Sequence, residues 1–137
     1  MNQPNENRNE DLFGEVIHAY TRAQAIQDGE LIDVTTTAQE AGFKYPVAVT
    51  RNLWGAWIEP NEKAKSYGQD FKGRLWDVLW LLRVAIRRGG GGEHITYQVL
   101  FQNGPGNRNR QTVTLWAICG PGDDGEPVIT IMLPEDY

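Results

Sequence analysis

The sequence contains very few of the residues that most often bind metals or act as nucleophiles. Among its 137 residues there are two histidines and one cysteine, Cys119. A disulfide needs two cysteines, and a protein zinc site usually needs three or four ligands drawn mainly from cysteine and histidine. The sequence therefore predicts no disulfide, no metal site and no cofactor. Cys119 lies in an alternating apolar segment, which predicts a buried core residue rather than a reactive thiol.

Long apolar runs are also missing. No segment approaches the ~20 apolar residues that a membrane-spanning helix needs, so we expect no membrane partner. The first fourteen residues are polar and rich in asparagine, and they lack the apolar stretch of a secretory signal. We expect a disordered tail over residues 1–14, one α+β domain over residues 15–137 and a cytoplasmic location.

The common catalytic motifs are absent as well. The sequence has no Gly-x-Ser-x-Gly nucleophile elbow and no His-Glu-x-x-His zinc motif. The run of four glycines at 89–92 follows a helical pattern instead of preceding one, and no Gly-Lys-Ser/Thr accompanies it. A flexible turn explains this run better than a phosphate-binding loop does.

The first half of the chain repeats a local pattern in which a short strand runs into a threonine and then a short helix. Thr21 and Thr50 are placed to cap such helices, and Thr37 has capping-box spacing with Glu40. Gly29 supplies the residue that ends the first helix. These signals predict short strand-helix units at the N-terminus.

The second half contains one long helix over residues 71 to 88, followed by three alternating apolar segments separated by Gly, Asn, Pro and Asp. The alternation predicts an antiparallel meander. The fold class is therefore α+β, with the long helix packed on a C-terminal antiparallel sheet. At 100° per residue, the apolar face of the helix consists of Phe71, Leu75, Val78, Leu79, Leu82, Ala85 and Ile86.

A second line of large side chains runs along the same helix. Trp76 and Trp80 lie beside Lys72, Arg83 and Arg87, where an ordinary surface helix would be polar. The favoured interpretation is that the short N-terminal helices bury the two tryptophans, because large aromatic side chains are seldom left bare. The alternative is that the tryptophans are exposed for a partner, with the cations beside them.

The charge distribution bears on that partner. The net charge is −5, yet residues 72 to 110 hold seven basic and two acidic residues. Arg108 and Arg110 add positive charge from a loop that is expected near the helix. Tryptophan and arginine dominate interface energetics, and arginine also positions phosphates. The predicted partner is a protein or ribonucleoprotein complex, with nucleic acid as an alternative through this basic region.

An enzyme is the competing hypothesis. His18, Tyr20 and Thr21 at a strand end, followed by a short helix and Gly-x-Leu, resemble the first NAD-binding element of ADP-ribosyltransferase-like folds. That resemblance implies that His18 contacts the nicotinamide ribose. A small ribonuclease that uses His18 with Arg108 and Arg110 around a phosphate is the second enzyme alternative.

Four separated blocks of the sequence carry a broader resemblance. In order they are "VIHAYTRAQAIQDGELIDVT", "AGFKYPVAVT", "LWDVLWLLRVA" and "VITIMLPED". Together they resemble a family of small uncharacterised bacterial proteins carried on plasmids, phages and other mobile elements. The resemblance implies an accessory protein that acts by binding, such as an inhibitor of a CRISPR or restriction system.

Overall fold

The computed structural model of the chain describes residues 20–89 and 92–137. Its helices are α1 Arg22–Gln27, α2 Thr35–Glu40, α3 Arg51–Leu53, which continues as a π-helix over Trp54–Ile58, α4 Glu62–Ser66 and α5 Phe71–Arg87. Its strands are β1 Leu31–Asp33, β2 Val47–Thr50, β3 His94–Gln102, β4 Arg110–Pro121 and β5 Pro127–Met132. Short 3₁₀ turns occur at Asn107–Asn109 and Pro134–Asp136. The tail expected over residues 1–14, His18, and the strand expected around residues 16 to 20 except for Tyr20 lie outside the described residues.

The predicted α+β class is confirmed, but the sheet is larger than expected. β3, β4 and β5 form the antiparallel meander, and the sheet continues through β2 to β1, in the order β1-β2-β5-β4-β3. β2 lies parallel to β5, with Val47 opposite Ile129. The expected C-terminal antiparallel sheet is therefore confirmed, and β2 extends it as a parallel neighbour of β5. In β2, Val47, Ala48 and Val49 are all buried. Because β5, the edge strand of the meander, is as apolar as β2, the pairing of the two buries both strands.

Two of the three predicted threonine caps are confirmed. The Thr21 hydroxyl accepts the Gln24 amide at 3.0 Å, and the Thr50 hydroxyl accepts the Leu53 amide at 3.2 Å. The third is wrong, because α2 already begins at Thr35 and Thr37 lies inside it. The N-cap of α2 is Val34, and the Asp33 carboxylate before it accepts the Thr35 amide at 3.0 Å.

The core lies between α5 and one face of the sheet. The helix contributes Leu75, Val78, Leu79 and Leu82, and the sheet contributes, among others, Val49, Val99, Phe101, Leu115 and Ile131. Phe71 and Ile86, predicted as core, are exposed, and Ala85 is only partly buried. Phe71 and Ile86 lie in the terminal turns of the helix, and the Phe71 ring packs beside Trp54 instead.

Two loop segments make defined contacts. The polar segment after Pro60 contains α4, which Asn61 caps by accepting the Ala64 amide at 2.8 Å. The acidic loop between β4 and β5 is an exposed hairpin loop, and its Asp123 carboxylate accepts the amides of Arg22 and Ala23 at 2.8 and 3.0 Å. This loop therefore caps the start of α1 from a distant part of the chain.

Cys119 is only partly buried, although it packs against the core as predicted. Within the described residues, no helix combines the length and the apolarity that crossing a membrane requires.

Candidate partner-binding surface

The two tryptophans of α5 form a stacked and exposed pair. Trp76 and Trp80 retain 38% and 42% of their accessible surface. Their ring centroids are 6.1 Å apart, and the ring planes differ by 9°. The two residues are four positions apart in a helix, so they lie one above the other on the same face.

The interpretation that the N-terminal helices bury this pair is wrong. The guanidinium of Arg22 in α1 donates to the Thr130 hydroxyl at 2.7 Å. Thr130 alternates along β5 with the core residues Ile129 and Ile131, so it points to the opposite face of the sheet. Helix α1 therefore packs on the side away from α5 and cannot cover the tryptophans.

Arg83 fixes the position of the pair relative to α2. Its guanidinium carbon lies 5.9 Å from the centroid of the Trp80 ring, within cation–π range. Its Nη1 atom donates to the Ala41 carbonyl at 2.8 Å, at the C-terminal end of α2. Gly42, with φ of +99°, lies so close that a Cβ there would overlap the guanidinium. Arg83 thus has a structural role as well as a place on the exposed surface.

Lys72 and Arg87 complete this flank of the helix. By helical spacing both project within about 40° of Trp76, and the side chains of both are exposed. Neither makes an ion pair with another described residue. The tryptophan stripe is defined here as Lys72, Trp76, Trp80, Arg83 and Arg87.

The sequence predicts that Arg108 and Arg110 add positive charge near the helix, but no described contact joins them to the stripe. Arg110 donates to the side chain of Gln102 at 3.0 Å. Arg74 holds the loop that leads from β3 to Arg108, because it donates to the Gln102 carbonyl at 2.7 Å. Arg74 projects about 200° around the helix from Trp76, so the loop contacts a different side of α5.

Arg74 itself was not anticipated, and it is the one charged residue among the buried described side chains, with 4% exposure. Its guanidinium donates to the Trp57 carbonyl at 2.7 Å and to the side chains of Asn103 and Gln69 at 2.8 and 3.2 Å, besides Gln102. It also lies 5.5 Å from the Phe101 ring centroid. Burial lowers the pKa of this guanidinium, which remains charged because arginine starts so high. Arg74 therefore ties α5 to the π-helix and to the end of β3.

The residues of the enzyme alternative have local structural partners where they are described. The exposed Tyr20 hydroxyl donates to the Asp28 carboxylate at 3.1 Å, and Thr21 forms a capping box with Gln24. His18 lies outside the described residues. The described residues contain no group of three or more His, Cys, Asp or Glu side chains placed to hold a metal ion.

A polar cleft of about 540 Å³ is lined by α3 residues together with Glu30 and Asp136. The Asp136 carboxylate accepts the Thr50 hydroxyl at 2.7 Å and the Asn52 amide at 2.9 Å. Arg51 forms an ion pair with Glu30 at 3.0 Å. These contacts anchor the last turn of the chain to α3, and the Asp136 carboxylate is hydrogen-bonded to neutral donors.

Comparison with known proteins gives one match. A family model described as a family of unknown function (DUF6573) covers residues 9–137. Neither the curated proteins nor the solved structures contain a match to this chain.

Proposed function

The chain belongs to this family of unknown function (DUF6573), and we propose that it acts by binding a macromolecular partner through the tryptophan stripe. The observation that carries the proposal is the exposure of two stacked tryptophans on one helix flank, at 38% and 42%. Exposed indole surface gains free energy when a partner removes it from water, at roughly 25 cal/mol per Å² of apolar area.

The charges of the stripe favour an acidic protein surface as the partner. Lys72, Arg83 and Arg87 flank the tryptophans, and no acidic residue of α5 lies on the same flank, since Asp77 projects about 100° from Trp76. Cations around an aromatic centre match a partner that presents carboxylates around an apolar anchor, and such complementarity raises the association rate and sets specificity. Arginine and tryptophan are also the residue types that most often carry binding energy.

The biological setting that we propose is a bacterial mobile element. The four-block resemblance supports this setting, and it supports a role as an accessory protein that inhibits a host defence system such as CRISPR or restriction. In that role the protein occupies a surface of the defence complex, and the stripe is the part that makes contact.

The experiment combines a challenge assay with a matched surface variant. Bacteria with an active CRISPR or restriction system express the full chain and are infected with a phage that the system targets. The wild-type chain is expected to raise the plating efficiency, while Trp76→Gln/Trp80→Gln is expected to lose this effect at equal protein abundance. Leu100→Gln, which alters an exposed apolar residue on β3, serves as the control that keeps the effect.

Three results would count against the proposal. The first is protection that does not change in the tryptophan variant. The second is the absence of protection against every defence system tested. The third is NAD consumption or RNA cleavage by the purified chain that His18→Ala abolishes, which would favour the enzyme instead.

A further inference from the structure

We propose that a groove beside the C-terminal half of α5 binds a small amphiphilic anion, namely a straight-chain carboxylate of medium length. The groove shares Arg83 and Arg87 with the stripe, but neither Trp76 nor Trp80 lines it. It lies between α5, the segment over residues 42–46 and strands β4 and β5.

The inner part of the groove is an apolar cavity of about 180 Å³. Its walls include Leu82 from the helix, Ile95 and Ala117 from the sheet, and the thiol-bearing Cys119. Leu82 and Ala117 are core residues, so the cavity is an opening into the hydrophobic core. Apolar chain atoms placed here leave water without requiring a hydrogen bond in return.

The outer part is a second cavity of about 310 Å³. It adjoins the inner cavity because Tyr45, Ile86 and Ile129 line both. Tyr45 and Ile86 are 46% and 39% exposed, so the apolar surface continues from the core to solvent. Together the two cavities fall in the size range of ligand sites, which is about 300–1,000 Å³.

Among the described residues, the charged side chains that line the outer cavity are all cationic. They are Lys44, Arg83 and Arg87, and no described aspartate or glutamate lines either cavity. Arg83 already donates to the Ala41 carbonyl and contacts the Trp80 ring. Lys44 and Arg87, by contrast, form no ion pair with a described residue. These two cations are therefore available to a ligand anion at the mouth of the groove.

An apolar floor below a cationic mouth selects a ligand with the same polarity. A neutral hydrocarbon would gain only the burial term, and an amphiphilic cation would face Lys44 and Arg87 at short range in a partly desolvated site. A carboxylate on an aliphatic chain satisfies both halves of the groove. The chain would enter past Ile86 toward Cys119, and the carboxylate would remain at the rim.

Cys119 provides the readout, because it is the only cysteine of the chain. The full-length protein is treated with a thiol reagent such as Ellman's reagent, and the rate of modification is measured against decanoate concentration below its critical micelle concentration. Decanoate is expected to slow the reaction in a saturable way. Decylamine, with the same chain length and the opposite charge, is expected to protect at least tenfold less well.

Two variants assign the protection to the groove. Arg87→Gln is expected to weaken decanoate protection severalfold, and Ile86→Gln is expected to weaken it by removing the apolar lip; both residues are exposed, so the fold is retained. Arg108→Gln removes the same charge from an exposed position outside both cavities and serves as the control. Isothermal titration calorimetry with decanoate gives an independent affinity for each variant.

Each other outcome would overturn the proposal. Equal protection by decylamine would show that the rim does not select an anion, and protection that never saturates would show non-specific adsorption. Faster Cys119 modification in full-length Phe13→Ser without any decanoate would identify the chain's own N-terminal residues as the occupant. Modification that slows with protein concentration alone would identify a second copy.

Discussion

The guanidinium of Arg83 lies 5.9 Å from the ring centroid of Trp80. The same group donates to the Ala41 carbonyl at 2.8 Å, at the end of α2. The orientation of the exposed tryptophan is therefore coupled to a helix end from another part of the chain. The proposed partner-binding surface thus includes a side chain that also holds the end of α2.

Replacement of Gly42 tests this coupling. In Gly42→Ala the new Cβ would overlap the guanidinium of Arg83, and the residue would have to keep a φ of +99° that alanine disfavours. We expect a loss of about 1–3 kcal/mol in the free energy of unfolding, measured by urea denaturation. Gly29→Ala, at a position with φ of +82° and open space around it, is the control that matches the backbone strain. Equal stability of the two variants would contradict the close packing of Arg83.

Removal of the buried guanidinium of Arg74 is expected to be far more costly. Arg74→Met would leave the carbonyls of Trp57 and Gln102 without their donors in a buried site, and such groups cost about 1–3 kcal/mol each. We expect a loss of ~3 kcal/mol or more, measured by thermal and urea unfolding. Arg108→Met removes an exposed arginine and should change stability by less than about 0.5 kcal/mol. A small effect of Arg74→Met would mean that the buried network contributes little.

The contact between the acidic loop and α1 gives a third prediction. Asp123→Ala removes the acceptor of the Arg22 and Ala23 amides, so the start of α1 loses its carboxylate partner. We expect a loss of ~1–2 kcal/mol, in the range of a helix cap. Asp124→Ala, which removes the neighbouring carboxylate from the same loop, should have almost no effect. Reversed effects of the two substitutions would contradict this contact.

A buried tyrosine makes stability depend on pH in alkaline solution. The Tyr97 hydroxyl donates to the Val78 carbonyl at 2.9 Å, and burial raises the pKa of Tyr97 above its ordinary value. Only the unfolded chain then releases this proton near pH 10, so stability falls as pH rises above that value, by about 1.4 kcal/mol per pH unit. Tyr97→Phe should remove this part of the slope between pH 10 and 11 in urea unfolding measured at each pH. Parallel pH curves for the two proteins would contradict the assignment.

The sequence predicts the parts of this fold that depend on neighbouring residues. The caps at Thr21 and Thr50, the end of α1 at Gly29 and the extent of α5 follow from local signals, and the structure confirms them. The assignment of Thr37 as a cap was wrong because α2 begins at Thr35, after the N-cap Val34, which makes no side-chain cap hydrogen bond. Capping-box spacing alone does not establish where a helix begins.

The remaining features depend on contacts between distant parts of the chain. The parallel pairing of β2 with β5 joins residues about eighty positions apart, and no local pattern encodes it. The burial of Arg74 depends on carbonyls from the π-helix and β3, so its sequence neighbours give no sign of it. Trp76 and Trp80 are exposed because α1 packs against the opposite face of the sheet. The helical pattern of α5 does not indicate where α1 packs.

The most direct test of the account measures partner binding and folding on the same tryptophan variant. The tagged full-length chain is used to isolate its partner from the native host, and the affinity is then measured with purified components for the wild type, Trp80→Gln and Leu100→Gln. We expect Trp80→Gln to keep the wild-type melting temperature within a few degrees and to weaken binding by ~30-fold or more, as a hot-spot residue does, while Leu100→Gln binds normally. A Trp80→Gln variant that unfolds would show that the side chain is a core residue, and one that is stable and binds with wild-type affinity would show that the stripe is not the binding surface.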